Sequence, residues 1–428
     1  MHKKTPLKDL LPPKEKAIAI GIYTGRANLW REEQSLEELA TLAITAGADV
    51  LQTFLQERAK RDPAYYCGKG KLEEVKTYCD ARNIDMVLFD DPLTAAQMRN
   101  IEQLLKRKVL DRTQLILDIF AQRARTAEGK LQVELAQVDY LLPRLTGKGI
   151  ALSRLGGGIG TRGPGETKLE FDRRRLRARK SRLLQELEHV KQIRAMQRSS
   201  RTQIPLPSVA LVGYTNAGKT TLFNRLTGAK SLASPILFAT LDPIIKSVRA
   251  TNGQVVLLSD TVGFIRKLPH ELVAAFRATL EEVVQAHLLI HVIDVSSPAV
   301  DEQIEAVQQT IRDLGLSEKP LIHALNKIDL TENKEAILHS FQHRLGDVTA
   351  ISAESGEGIR QLMDLTALKL TAFWERVRLS IPMNQQSLIS QLHDQGKIYK
   401  KVYVDGRIEL DVEVPKKLAE RVRRYSLV

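Results

Sequence analysis

Cysteine is almost missing: the 428 residues contain only Cys67 and Cys79. That excludes a disulfide framework and points to a reducing compartment. No apolar run reaches the roughly 18 residues that a membrane helix needs. The opening MHKKTPLKDLLPPKEK lacks the apolar centre of a signal peptide. A cytoplasmic protein with no membrane span is therefore expected. Acidic residues fall short of basic ones, 51 Asp+Glu against 64 Lys+Arg, for a formal net charge of +13. The surplus points to a polyanionic partner, nucleic acid before membrane. The nine histidines form no metal-ligand spacing and the two cysteines have no matching partners, so no zinc site is expected. Both cysteines read instead as small, partly buried hydrophobes.

What is present is an ordinary globular composition, 43% hydrophobic and 27% charged. At about 150 residues per domain the length implies about three domains. Strand-like and helix-like runs alternate from AIAIGIY at 17–23, through a helix at 35–48, strand 50–56, helix 71–83 and strand 85–91, to a helix at 94–108 with Thr94 at its N-cap. This predicts a small α/β domain with a mainly parallel sheet. Helical spacing continues over 113–145. Residues 147–165, GKGIALSRLGGGIGTRGPG, then hold eight glycines with Lys148, Arg154 and Arg162, and fit neither strand nor helix. From Leu169 to Arg201 helical spacing returns with eleven Lys/Arg against four Asp/Glu. Two helices joined by a glycine-rich basic loop predict a hairpin with a mobile tip. After the proline-punctuated linker TQIPLPS a second α/β pattern runs on, with a helix over 270–285 and a last one over 356–376. The tail from 381 reads as helix, strand IYKKVYV, a DG turn, strand RIELDVEV and helix.

Three motifs stand in order within the second pattern. Gly213-Tyr214-Thr215-Asn216-Ala217-Gly218-Lys219-Thr220 matches GxxxxGK[ST] after an apolar strand and before a helix, with Thr221 next inside the helix. The glycines let N–H groups turn inward around a β-phosphate, and the helix N-terminus adds positive potential. Lys219 is expected to bridge β- and γ-phosphates and Thr220 to bind Mg²⁺. Asp260-Thr261-Val262-Gly263 follows the strand VVLLS. The acid suits the outer shell of Mg²⁺, and the Gly263 N–H can meet a γ-phosphate. Asn326-Lys327-Ile328-Asp329 follows PLIHAL. A carboxylate there can accept the N1–H and N2 amino hydrogens of guanine, so Asp329 selects GTP over ATP. Asn326 would brace the loops and Lys327 would cover the base. Ser352-Ala353-Glu354, after the next strand, would meet guanine through main-chain N–H. Between the first two motifs lies Phe238-Ala239-Thr240-Leu241-Asp242, bracketed by Pro235 and Pro243. A γ-phosphate switch needs a threonine in such a loop to complete the Mg²⁺ shell, and Thr240 is the candidate. An ordinary N-cap threonine is the alternative. The set predicts a GTPase, with Lys219, Thr240 and Gly263 nearest the chemistry.

The expected architecture is α/β throughout: an N-terminal α/β domain over 1–112, and a helical hairpin over 113–201 with its loop at 146–168. After the linker 202–208 come a Ras-like P-loop GTPase domain over 209–376 and a small α+β domain over 377–428. The GTPase sheet should be mostly parallel, with helices on both faces.

The chain also resembles one family from about residue 15 to about 375. CGKGKLEEV, DRTQLILDIFAQRA, SRLGGGIGTRGPGETKLE, GYTNAGKTTLFN, FATLDP and DTVGFI with LPHELVAAFRATLEEV are similar to the HflX GTPases. The resemblance implies binding of GTP and GDP, docking on the large ribosomal subunit and its rRNA, and splitting of stalled or idle ribosomes under stress. It makes the loop around Gly147–Gly165 the ribosomal contact. The residues agree, since a glycine-rich basic tip can approach RNA backbone and an arginine-rich helix can meet phosphates. Alternatively Arg173–Arg182 is a solvated helix face. A monomer is expected.

Phe264 stands where Ras-like enzymes carry the water-orienting glutamine, so slow intrinsic hydrolysis and activation by the ribosome are expected. Asn216 occupies a position that in potassium-activated GTPases is asparagine. It either helps to hold K⁺ beside the phosphates or only stabilises the turn. Ile244-Ile245-Lys246 replace the threonines and basic residue expected after FATLDP, and Lys267 stands where an acid is expected. Competing readings are a large-subunit assembly factor and an ATP-driven RNA remodeller, the latter disfavoured because no second P-loop occurs.

Overall fold

Four short runs of β-branched and aromatic residues build the first sheet. In the computed structural model, which describes residues 14–147, 168–201, 206–229, 237–238, 243–267, 280–404 and 406–427, these are β1 (Lys16–Tyr23), β2 (Asp49–Glu57), β3 (Met86–Phe89) and β4 (Lys108–Asp111). Their order is β2-β1-β3-β4 and all pairings are parallel. The chain divides into two compact units, Met1–Leu187 with Lys267–Ala275, and Glu188–Arg266 with Phe276–Val428.

In the first unit, Ile18, Ile20, Val87 and Phe89 are buried with Leu72, Val75 and Ile101 from the covering helices. Strands covered on both faces read as continuous apolar runs, which is what the sequence shows. Thr94 caps the helix Ala95–Leu105 and forms a reciprocal capping box with Gln97. That helix stops at Leu105, short of the expected 108, because the next residues leave to form β4, a strand the sequence pattern did not separate. The helical stretch 113–145 is likewise two helices, Arg112–Arg123 and Ala127–Leu141, capped by Asp111 and Thr126. Cys67 and Cys79 are fully inside the core, and burial pushes both thiols up to about 11. They are inert packing groups.

Helix Ala127–Leu141 pairs with the basic helix Lys168–Arg201. Leu135 and Val138 pack on Leu183 and Leu187. Arg179 grips Glu134 in a two-pronged bond at 2.6 Å, and Lys180 meets Asp139 at 2.7 Å. The glycine-rich segment 148–167 between them lies outside the described residues.

The ends of β3 and β4 carry a buried charge cluster. Arg112 is wholly buried and bonds Asp90 at 2.6 Å, Glu38 at 2.7 Å and the Ser35 carbonyl at 2.7 Å. Lys267, the basic residue in a place expected to be acidic, ion-pairs with Glu32, Asp90 and Asp91. Burial alone would push the Asp90 carboxyl up, but Arg112 and Lys267 outweigh it and hold it well below the usual carboxylate range.

The second unit holds a six-stranded sheet of order β10-β9-β8-β5-β7-β6. Its strands are β5 (Ser208–Gly213), β6 (Ile244–Arg249), β7 (Val255–Asp260), β8 (Leu288–Asp294), β9 (Leu321–Asn326) and β10 (Val348–Ala350). All pairings are parallel except the edge pair β6–β7. The helix expected over 270–285 is described only as Glu281–Gln285; 268–279 lie outside the described residues. A three-stranded antiparallel sheet follows, β11 (Trp374–Pro382), β12 (Lys397–Val404) and β13 (Arg407–Pro415), in the order β11-β13-β12. β11 corrects the expectation of a helix running to 376: that helix is Ile359–Leu370 and the chain extends from Trp374. Val377, Leu379 and Ile381 point alternately into a core with Leu410, Val412 and Leu418.

Replacing Arg112 by Met should destabilise the first unit by about 3–5 kcal/mol, because Asp90 then stays buried beside fewer cations. Urea unfolding measures this. Adding Asp90→Asn should restore part of the loss, and equal stability of the two variants would contradict the account.

Candidate functional site

The ends of β5, β7, β9 and β10 point the same way, and open parallel sheets bind ligands at their carboxyl ends. β5 stops at Gly213 and the helix Lys219–Thr227 begins after a tight loop. Its first turn holds no acid, so nothing on it offsets the positive helix end. Gly218 caps this helix at φ 93°, and a Cβ there would lie 2.2 Å from the Asn326 Nδ2. Only glycine lets the strand end of β9 come so close.

Asn326 ties three loops together. Its Nδ2 donates to the Ala217 carbonyl at 2.8 Å, and its Oδ1 accepts from the Ala353 N–H at 2.9 Å. Lys327 takes the left-handed conformation, φ 62°, and its ammonium meets Asp294 at 2.6 Å. Ile328 is buried, while Asp329 is exposed at the mouth of the site. Ser352 is buried and its hydroxyl accepts from the Ser355 N–H at 3.1 Å; Glu354 is exposed. Arg225, one helical turn beyond the P-loop threonines, donates to the carbonyls of Ala353 and Glu354. The motifs did not single it out, since nothing in its spacing distinguishes it from a surface arginine.

Lys219 is buried, and its ammonium donates to the carbonyls of Gly213 at 3.1 Å and Tyr214 at 2.6 Å. The Thr220 hydroxyl donates to the Asp260 carboxylate at 2.8 Å. A hydroxyl beside a buried carboxylate at a helix N-terminus is the oxygen donor set that suits Mg²⁺. Thr221 continues the helix. Thr261 is fully buried and its hydroxyl donates to the Leu211 carbonyl.

The chain after Asp260 is strapped to the P-loop. The Phe264 N–H donates to the Gly213 carbonyl at 3.0 Å, and the Thr215 N–H donates to the Phe264 carbonyl at 2.8 Å. The Arg266 N–H donates to the Tyr214 hydroxyl at 2.9 Å. Val262 and the Phe264 side chain are buried, the latter 2% exposed, so it offers the site only main-chain groups. Gly263 has to be glycine: a Cβ would sit 2.9 Å from the Thr215 Cα. Asn216, at φ 60°, is the exposed residue of the loop. Phe238 is buried at φ 57°. Ala239, Thr240, Leu241 and Asp242 fall outside the described residues.

Burial lowers the Lys219 ammonium to about 8, against the opposing pull of Asp260. A bound phosphate favours the charged form, so binding takes up a proton wherever free Lys219 is neutral. Nucleotide affinity should therefore fall as pH rises above about 8, by up to tenfold per unit. Titrating a fluorescent GDP from about pH 7 to 9.5 tests this. Lys219→Met should bind weakly and lose that part of the slope; an unchanged slope would contradict the assignment.

Four consecutive stretches match known families. "GTP-binding GTPase N-terminal" covers 33–121, "GTP-binding GTPase Middle Region" 123–201, "50S ribosome-binding GTPase" 208–327 and "HflX C-terminal domain" 337–426. GTPase HflX of Caldanaerobacter subterraneus subsp. tengcongensis is 46% identical over 98% of this chain and 96% of its own. GTPase HflX of Escherichia coli is 43% identical over 94% of each chain. A solved GTP-binding protein of Sulfolobus solfataricus in complex with GDP is 28% identical, covering 83% of this chain and 99% of that one, with a TM-score of 0.43. The chain belongs to the HflX family of GTPases, P-loop enzymes that hydrolyse GTP.

Proposed function

We propose that this GTPase is switched by the large ribosomal subunit and uses GTP to split or rescue stalled and idle ribosomes under stress. The observation that carries the reading is Phe264. At the position from which a water could be oriented, the side chain is buried and apolar, and its main chain is spent on the P-loop. Attack on GTP then gains no positioned side chain from Phe264, and a partner that reorders this strap is the natural activator. The family description "50S ribosome-binding GTPase" names the kind of partner.

Within that reading Lys219 bridges β- and γ-phosphates, the Gly263 N–H meets the γ-phosphate and Asp329 reads guanine. Main-chain groups of Ser352–Glu354, held by Asn326 and Arg225, close on the base. Thr220 and Thr240 would hold Mg²⁺, with Asp260 hydrogen-bonded to Thr220. When bound, the ion would supply charge neutralisation for the phosphates. Asn216, exposed beside the phosphate loop, is in place to help hold K⁺, and faster turnover in KCl than in NaCl is its signature. The ribosomal contact is the glycine-rich segment 146–168 with the exposed Arg174, Arg175, Arg177 and Arg182. No described helix is long and apolar enough to cross a membrane; we place the working protein in the cytoplasm, on ribosomes.

GTP turnover with and without purified large subunits tests the reading, for the full chain and for one lacking 147–165. Strong stimulation that vanishes with the segment is expected, as is dissociation of intact ribosomes on gradients. Turnover indifferent to the subunit would move the partner elsewhere. Immature particles on deletion of the gene, without any stress defect, would favour an assembly role.

A further inference from the structure

His291 on β8 and His323 on β9 are direct partners in the register of the second sheet. Their ring centroids are 5.3 Å apart and their Nδ1 atoms 3.2 Å apart. Both side chains are inside the protein, 1% and 4% exposed. A hydrogen bond between two imidazole nitrogens needs one proton and one lone pair. One Nδ1 therefore donates, the other accepts, and both rings are neutral. A proton added at the accepting Nδ1 would set two donors against each other in a space closed to solvent.

The surroundings do not offset that cost. Among the described residues, the charged groups facing the pair are Lys219, beside His291, and Asp347, beside His323. The Lys219 ammonium repels a proton on His291. Asp347 attracts one to His323, but its carboxylate is already paired with Lys369. Burial, the neighbouring ring and Lys219 hold His291 well below the usual histidine range. At His323 burial outweighs Asp347 and lowers the ring to about 4. The pair also sits close to the site along the chain. β8 ends at Asp294, the partner of Lys327, and β9 ends at Asn326, each three residues past its histidine.

We propose that the His291–His323 pair is an acid-sensitive latch between β8 and β9, closed while both rings are neutral and broken by one added proton, so that mild acid loosens the sheet that carries the nucleotide site. In the unfolded chain both rings titrate near 6.5, whereas the folded sheet refuses the protons. The stability is therefore fully present above about pH 7 and is lost progressively as pH falls below about 6.5. From about pH 7.5 to 5.5 each ring shifts the folding equilibrium about tenfold, and the pair about a hundredfold. The inference goes beyond the ribosomal reading and does not depend on it.

The test uses the full, nucleotide-free chain and compares urea unfolding at about pH 7.5 and 5.5. Trp374, 5% exposed, reports on the second unit by fluorescence, with Trp30, the other of the two tryptophans, replaced by Phe throughout. The partner chain carries His291→Leu together with His323→Leu, which removes both titrating groups and leaves no orphaned ring nitrogen. All other titrating groups are common to both chains. Between the two pH values the parent should lose about a hundredfold more in its folding equilibrium than the double variant. Equal losses would overturn the proposal. Nitrogen NMR of the parent with labelled histidines gives a second measurement that needs no substitution. One Nδ1 of the pair should be protonated and the other bare, and both rings should stay neutral at about pH 5.5. Two bare Nδ1 atoms, or rings that titrate near 6.5 in the folded protein, would overturn it.

Discussion

One amide side chain holds the nucleotide end of the molecule together. Asn326 gives its Nδ2 to the Ala217 carbonyl and takes the Ala353 N–H on its Oδ1. Both bonds are buried, where a lost partner costs more than at the surface. They fix the P-loop against the loops that carry Asp329 and Ser352–Glu354. They also explain Gly218, because the amide sits where any Cβ would be. The P-loop, Asn326–Asp329 and Ser352–Glu354 are distant in sequence, and this contact ties them together at one end of the sheet. Arg225 adds a second tie, from the helix that follows the P-loop to the loop of Ala353 and Glu354.

Against that rigid frame, the chain after Asp260 is tied to the P-loop by main-chain bonds to Gly213 and Thr215 and by one to the Tyr214 hydroxyl. Main-chain bonds of this sort can be exchanged without losing core packing, which suits a switch. The burial of Phe264 gives the strap its anchor. A polar residue there could orient water but would cost burial free energy in the same pocket. The firmly seated strap, with no polar side chain offered to the site at this position, follows from one apolar residue.

Much of this was legible in the sequence. The P-loop, the Asp260–Gly263 motif and Asn326–Asp329 each need residue types at fixed spacing after an apolar strand, and the structure brings them to one end of one sheet. The capped helix at Thr94 and the paired hairpin helices followed from local rules as well. The misses have physical causes. β4 is four residues long between two helices, too short to show a period of its own. β6 is an edge strand, largely exposed on both faces, so it shows no buried stripe. β11 does alternate at Val377, Leu379 and Ile381, but it follows a helix so closely that the helical spacing ran on into it. Arg225 and the carboxylate partners of Lys267 depend on contacts far apart in the chain, which no local pattern carries.

The chain uses its charge in two opposite ways. In the first unit Arg112 and Lys267 are compensated by Asp90, Asp91, Glu32 and Glu38, and such a cluster is specific in geometry and costly to disturb. On the helix Lys168–Arg201, acids from the partner helix engage Arg179 and Lys180, on the side that packs, while Arg175, Arg177 and Arg182 stand exposed. A basic face kept only for solubility would gain from interspersed acids, since like charges along a helix repel. Glu134 and Asp139 meet the packed side, while the outer face carries Glu170 and Glu188 beside its arginines. The packed side therefore carries the specific ion pairs, and the outer face carries the net positive charge that is left.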